Sequence, residues 1–90
     1  MENLVDESRV IKTLERLPKE IQSGYFVWRD VVSAKGFNGL RSIRGFRFEK
    51  LKGDRIGQYS CRLNRNYRVI FQQGYDKIIV IVLEVNKHEY

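Results

Sequence analysis

The sequence predicts an α+β domain in which two N-terminal helices pack on one face of an antiparallel sheet of four strands. Apolar residues recur at helical spacing before residue 36, and after Gly45 the chain alternates between apolar and polar residues at the period of a strand. Ninety residues with 42% hydrophobic content suffice for one small core. We therefore expect a single domain over residues 1–90.

The first helix is predicted from apolar residues at spacing i, i+1, i+4 and i+7 between Val10 and Leu17. Asp6 or Ser8 is expected to cap it, because short polar side chains accept hydrogen bonds from the first free N–H groups of a helix. Pro18 interrupts this helix but suits the first turn of the next one.

The second helix is predicted from about Pro18 to Lys35, and Gly36 is expected to end it. Its apolar stripe is a core face rather than a ligand site, and consists of Ile21, Tyr25, Trp28 and Val32. Three glycines within residues 36–45 favour a loop there.

Four strands are predicted after this loop, over residues 46–51, 59–63, 67–71 and 77–85. The last is apolar on both faces, so we expect it inside the sheet rather than at an edge. Cys61 alternates with Tyr59 and Leu63, which is typical of a small core residue rather than a nucleophile.

The positive charge of the chain is concentrated in its middle third. Residues 35–68 hold ten of the 17 Lys and Arg residues but only two of the 11 Asp and Glu residues. The formal net charge is +6. Such a concentrated basic region favours a nucleic-acid partner, since a merely solvated surface usually mixes both signs.

Several other classes of protein are disfavoured. No apolar run approaches the roughly 20 residues of a membrane span, and the N-terminal residues do not resemble a signal peptide. A single cysteine allows neither an internal disulfide nor a cysteine-based zinc site. We expect a cytoplasmic protein without a membrane partner, metal or cofactor.

An antiparallel meander would allow four polar residues to converge on the sheet face that the helices leave open, namely Glu49, Arg62, Arg68 and His88. A carboxylate and an imidazole can exchange protons, and arginine forks match phosphate oxygens. This set is typical of phosphoryl chemistry without a metal. The bare sequence equally allows a neutralising carboxylate, a strand ion pair and a solvated tail histidine.

From Leu14 to Tyr90 the chain resembles the RelE/ParE superfamily of toxins from bacterial type II toxin–antitoxin pairs, in particular the ribonuclease branch of RelE, YoeB and HigB-like toxins. The resemblance is carried by six segments in order: Leu40-Arg41, Gly45-Phe46, Glu49-Lys50-Leu51-Lys52-Gly53, Ser60-Cys61-Arg62-Leu63, Tyr67-Arg68-Val69-Ile70-Phe71 and Val85-Asn86-Lys87-His88-Glu89-Tyr90. It implies a curved antiparallel sheet. These toxins usually open with a strand, so residues 3–5 are expected to add a short N-terminal one.

The resemblance implies a metal-independent endoribonuclease that cuts mRNA, commonly on the ribosome, through attack by the 2′-hydroxyl that leaves a 2′,3′-cyclic phosphate. Glu49 matches the general base, Arg68 the arginine that supports charge on the phosphorane, and His88 the general acid. Tyr90 resembles the terminal tyrosine that orients the scissile nucleotide. A lysine is the alternative base.

Six basic residues are expected to contact phosphate or ribosomal RNA: Lys50, Lys52, Arg62, Arg41, Arg44 and Arg55. A cognate antitoxin is the expected protein partner, with mRNA and the ribosome as the other partners. Two alternatives stay open. A ParE-like gyrase poison would not need an acid–base pair, and a non-catalytic basic module would not need Glu49 or His88.

Overall fold

Two helices cover one face of a β-sheet in the computed structural model, which describes residues 3–76 and 78–87. The helices are α1 (Ile11–Arg16) and α2 (Lys19–Ser42). The strands are β1 (Leu4–Asp6), β2 (Glu49–Lys50), β3 (Tyr59–Arg62), β4 (Tyr67–Gln73) and β5 (Ile79–Lys87). Within the described residues these five strands form one sheet in the order β1-β5-β4-β3-β2. No helix in this part of the chain has the length and apolar composition needed to cross a membrane.

The sheet confirms the predicted antiparallel meander and adds a parallel strand to it. Strands β2 to β5 pair antiparallel in sequence order. Strand β1 joins the free edge of β5 in parallel, with Leu4 opposite Ile79. The N–H of Asn3 donates to the carbonyl of Ser33 in α2 at 2.7 Å, which ties the start of β1 to the helix layer. The extra N-terminal strand expected from the resemblance is thus present, and the sheet is mixed.

The core lies between α2 and the sheet. The four stripe residues of α2 (Ile21, Tyr25, Trp28 and Val32) are at most 1% exposed, which confirms the predicted core face. The Trp28 ring packs 5.0 Å from that of Phe71 in β4, centroid to centroid. Burial of a side chain such as Phe71 contributes about 1.5–3 kcal/mol.

Strand β5 is an interior strand, as predicted. A β-bulge in its pairing with β4 determines which of its residues face the helices. The pairing of β4 with β5 shifts between Ile70, which lies opposite Glu84, and Phe71, which lies opposite Val82. Because of this bulge, Val82 and Val85 are both buried in the core although they are three residues apart. Glu84 therefore belongs to the face away from the helices.

The loop predicted for residues 36–45 was wrong in its first half. Gly36 breaks α2 with φ 65° and ψ −160°, as expected, but the chain is helical again up to Ser42. Leu40 is fully buried there, and the Phe37 ring packs 5.3 Å from Phe71. Tertiary packing has overridden the low helix propensity of the glycines.

The predicted strand at residues 46–51 was also too long. Phe46 belongs to a 3₁₀ turn (Arg44–Phe46), and Arg47 has left-handed backbone angles, φ 46° and ψ 53°. Only Glu49 and Lys50 pair with β3. The alternation of this segment arises because two aromatic side chains face the core from an irregular backbone. Phe46 is buried, and Phe48 packs against the core.

The prediction that Asp6 or Ser8 caps the first helix was wrong. Val10 occupies the N-cap position, without a side-chain hydrogen bond to the helix. The Asp6 carboxylate instead accepts hydrogen bonds from the N–H and the hydroxyl of Ser8, at 3.0 and 2.7 Å. These bonds lower the pKa of Asp6. The polar residues thus fix the turn between β1 and α1.

We predict that Gly36→Ala destabilises the fold by about 1–3 kcal/mol, because the backbone at this position has angles that are essentially restricted to glycine. An added Cβ would also lie 3.1 Å from Nδ2 of Asn3. Urea unfolding measures the effect. Gly45→Ala is the matched control, since its Cβ would meet nothing within 4 Å. Equal midpoints for the two variants would contradict the prediction.

Cys61 is fully buried, as predicted for a core residue, and burial raises the pKa of its thiol to about 12. The reactive thiolate is therefore scarce at about pH 8, on the order of one molecule in 10⁴. We predict that a disulfide reagent labels the native protein slowly and the urea-unfolded protein rapidly. Comparable rates in both states would show that Cys61 is accessible in the folded protein.

Candidate functional site

The face of the sheet opposite the helices carries the polar residues of β2, β3 and β4. Glu49 of β2 lies opposite Ser60 of β3, and Arg62 of β3 lies opposite Arg68 of β4. Paired residues share a face, as do residues two apart on one strand. Glu49, Arg62 and Arg68 are therefore side by side on the open face.

These residues border one cavity of about 280 Å³. The lining consists of Arg47, Glu49, Ser60, Arg62, Asn64, Arg65, Tyr67 and Arg68. The structure thus brings together three of the four residues expected to converge. The fourth, His88, and the terminal Tyr90 lie outside the described residues, which end at Lys87.

The cavity is strongly cationic, with four arginines around one carboxylate. Within the described residues, no salt bridge joins Glu49 to Arg47, Arg65 or Arg68. A polar cavity with an excess of guanidinium groups favours an anionic ligand, since each group offers planar donors that match phosphate or carboxylate oxygens.

Arg68 contains a donor that lacks an acceptor. Its Nε is buried, and it has no hydrogen-bond partner among the described residues. A buried N–H without a partner costs about 1–3 kcal/mol relative to a satisfied one. Arg68 also borders the cavity, where the rest of its guanidinium could donate to an anion.

The turn between β3 and β4 places three of the lining residues. The side-chain oxygen of Asn64 accepts the N–H groups of Asn66 at 2.8 Å and of Tyr67 at 2.9 Å. This Asx turn closes the hairpin tightly and brings Asn64, Arg65 and Tyr67 to the mouth of the cavity. Sequence reasoning missed their role. Asn64 was a usable signal, because asparagine side chains often accept the backbone N–H two residues later and so form a turn.

Arg47 is a further lining residue that sequence reasoning missed. Its left-handed backbone is costly for a residue with a side chain, and such strain is concentrated at functional sites. Its N–H donates to the carbonyl of Arg44 at 3.1 Å, which holds the turn. A sequence signal was available, because alternation over residues 46–51 puts Arg47 on the same face as Glu49, two residues away.

The two lysines proposed for this site lie elsewhere. Lys50 is opposite Tyr59, whose ring packs 4.9 Å from that of Phe37 on the helix side of the sheet. Lys50 therefore belongs to the face opposite Glu49, and neither Lys50 nor Lys52 lines the cavity. Of the alternatives for the base, only Glu49 borders the cavity.

The other arginines expected to contact phosphate are also outside the cavity. Arg41 stacks on the ring of Phe48 at 4.7 Å. Arg44 is exposed in its 3₁₀ turn. Arg55 forms a salt bridge with Glu84 at 2.6 Å. Among the described residues, no group of three or more His, Cys, Asp or Glu side chains could hold a metal ion.

Comparison with known proteins places this geometry in context. Residues 9–88 match the family model of the HigB-like toxin, described as the RelE-like toxin of the type II toxin–antitoxin system HigB. The RelE–RelB complex of the archaeon Pyrococcus horikoshii contains a similar chain, with 25% identity, a TM-score of 0.73 and coverage of 97% of this chain and 96% of that one. The YoeB–YefM complex of Staphylococcus aureus contains another, with 19% identity, a TM-score of 0.72 and full coverage of both chains. No curated protein sequence matches this chain.

Proposed function

The chain belongs to the family of HigB-like toxins, the RelE-like toxins of type II toxin–antitoxin systems, and we propose on this premise that it is a metal-independent endoribonuclease that cleaves mRNA on the ribosome. The observation that carries the proposal is the single carboxylate, Glu49, among four arginines in one cavity. Ribonucleolytic cleavage needs a base near a phosphate, and the arginines supply the phosphate site.

The proposed reaction is a transesterification within the RNA. The 2′-oxygen bonds to the adjacent phosphorus, its proton passes to Glu49, and the bond from phosphorus to the 5′-oxygen breaks. The products are a 2′,3′-cyclic phosphate and a 5′-hydroxyl. Arg68 stabilises the negative charge that grows on the phosphorane oxygens, because its guanidinium borders the cavity beside Glu49.

We propose His88 as the general acid that protonates the leaving 5′-oxygen, and Tyr90 as the residue that orients the scissile nucleotide. Support comes from the strand that precedes them in sequence. Asn86 of β5 lies opposite Arg68, so the last described residues of the chain run beside the proposed phosphate site. An imidazole suits the role because its ordinary pKa lies near neutrality.

The exposed basic residues outside the cavity are proposed to contact phosphates of the ribosome rather than the scissile bond. They are Lys50, Lys52, Arg41 and Arg44. Each such contact releases condensed counterions, so binding should weaken as salt concentration rises.

We further propose a cognate antitoxin as protein partner in the cytoplasm. The similar chains of Pyrococcus horikoshii and Staphylococcus aureus were each solved in a complex with one. This chain exposes apolar side chains along α2, with Phe26 41% and Val27 57% exposed. An antitoxin segment with apolar and acidic residues would cover this helix and part of the basic surface.

The antitoxin proposal predicts a difference in growth. Expression of the protein alone should arrest the culture, and co-expression with the short reading frame beside its gene should restore growth. Co-expression of an unrelated small protein is the control. Equal growth with and without the neighbouring frame would count against a toxin.

The catalytic proposal predicts that His88→Ala and Glu49→Gln each lower the rate of single-turnover mRNA cleavage by about 10²-fold or more. Ribosome binding and folding should change little; Glu49 is exposed and lies outside the core. Arg16→Ala, which removes an exposed charge on α1, is the control and should cleave at the wild-type rate. The wild-type product should end in a 2′,3′-cyclic phosphate.

Cleavage by both variants at the wild-type rate would contradict the assignment of acid and base. If wild-type protein left RNA intact but inhibited DNA gyrase, the fold would serve the second function that the superfamily resemblance allows.

A further inference from the structure

The open face of the sheet carries a second carboxylate, Glu84, and both of its oxygens accept hydrogen bonds. One oxygen of Glu84 accepts from the guanidinium of Arg55 at 2.6 Å, and the other accepts from the side-chain amide of Asn86 at 2.7 Å. Arg55 also donates to Gln58 at 2.8 Å. Glu84 thus has a charged partner on one side and a neutral one on the other.

Glu84 is placed so that it could reach Arg68. Glu84 lies opposite Ile70, and Arg68 lies opposite Asn86, so the two charged residues are diagonal neighbours on adjacent strands. Diagonal neighbours on one face are about 7–8 Å apart, within the reach of long side chains. Glu49, by contrast, lies two strands away from Arg68.

Arg68 nevertheless has no carboxylate partner among the described residues, and its Nε is unsatisfied. An anionic ligand and Glu84 would compete for this guanidinium. In the structure the Glu84 carboxylate is held by Arg55 and not by Arg68.

Arg55 lies in the loop between β2 and β3, and its side chain bonds to Glu84 of β5. The N–H of Leu51 donates to the carbonyl of Gln58 at 2.9 Å, which closes the loop between β2 and β3. Gly53 and Gly57 have φ of 65° and 90°, so the chain turns sharply on both sides of Arg55. Arg55 belongs to this loop and bonds to β5, and its side chain therefore crosses the open face.

We propose that Arg55 is a positioning residue: by engaging Glu84 it keeps this carboxylate away from Arg68 and so keeps Arg68 available for the phosphate of the substrate. The inference rests on the proposed function only in naming RNA phosphate as the anion. It replaces the sequence-based expectation that Arg55 itself contacts phosphate.

The test is a double-mutant cycle on single-turnover mRNA cleavage. Arg55→Ala should lower kcat/KM by about five- to tenfold, as expected when a carboxylate gains a new arginine partner at a half-buried site. Glu84→Gln alone should stay within about threefold of wild type, because a neutral amide does not hold Arg68. The double variant should return close to the wild-type rate.

Urea unfolding of each variant separates the proposal from a loss of folding, because Glu84→Gln also removes the carboxylate that Arg55→Ala leaves without its charged partner. The proposal expects Arg55→Ala to be fully folded under the assay conditions. Arg16→Ala is the control for the removal of one positive charge. If Arg55 bound phosphate directly, Arg55→Ala would stay impaired in the double variant. If the pair were merely structural, Glu84→Gln would be as impaired as Arg55→Ala. Either result would overturn the proposal.

A readout without catalysis keeps this test distinct from the ribonuclease proposal. The Nε–H signal of Arg68 in ¹⁵N–¹H spectra, assigned by its loss in Arg68→Lys, reports the partner of that atom directly. Inorganic phosphate should shift this signal in the wild type and in the double variant, and much less in Arg55→Ala. If phosphate shifted the Arg68 signal equally in all three proteins, the inference would be wrong even if RNA cleavage were established.

Discussion

The two faces of β4 carry opposite chemistry, and the rest of the molecule depends on this alternation. Val69 and Phe71 point to the helices and are fully buried. Arg68, between Tyr67 and Val69 in sequence, points to the other face and borders the cavity. Because neighbouring side chains on a strand project in opposite directions, a shift of one residue would place the arginine in the core and the aromatic ring in the cavity. The packing of Trp28 on Phe71 therefore fixes the position of Arg68.

Much of the fold could be predicted because periodicity reports burial directly. The stripe on α2 and the alternation of β3 and β4 were sufficient to place Arg62 and Arg68 on one face. Errors occurred where tertiary contacts override local preference. Residues 37–42 are helical despite Gly39 because Phe37 and Leu40 complete the core. The sequence could not decide whether Glu49 or a lysine borders the cavity, since this depends on the register of a two-residue strand.

The remaining lining residues were missed because their positions depend on backbone conformations without a strong sequence signature. Arg47 lies in a turn with left-handed backbone angles, where a regular strand was predicted. Arg65 is placed by the side chain of Asn64, which accepts two backbone N–H groups. Arg47 and Arg65 are two of the four arginines that line the cavity. The sequence therefore predicts the types of residue in the site, but underestimates its positive charge.

A cavity with this charge needs a scaffold that does not depend on it for stability. Clustered guanidinium groups repel one another, and the unpartnered Nε of Arg68 is a further cost. The opposite face offsets these costs with an aromatic cluster in which Phe37, Tyr59 and Phe71 pack with centroids 4.9 to 6.0 Å apart. The same strands thus hold a dry face that stabilises the fold and a cationic face that is left incomplete. An anion in the cavity would offset the repulsion among the guanidinium groups, so we expect anion binding to stabilise the folded protein.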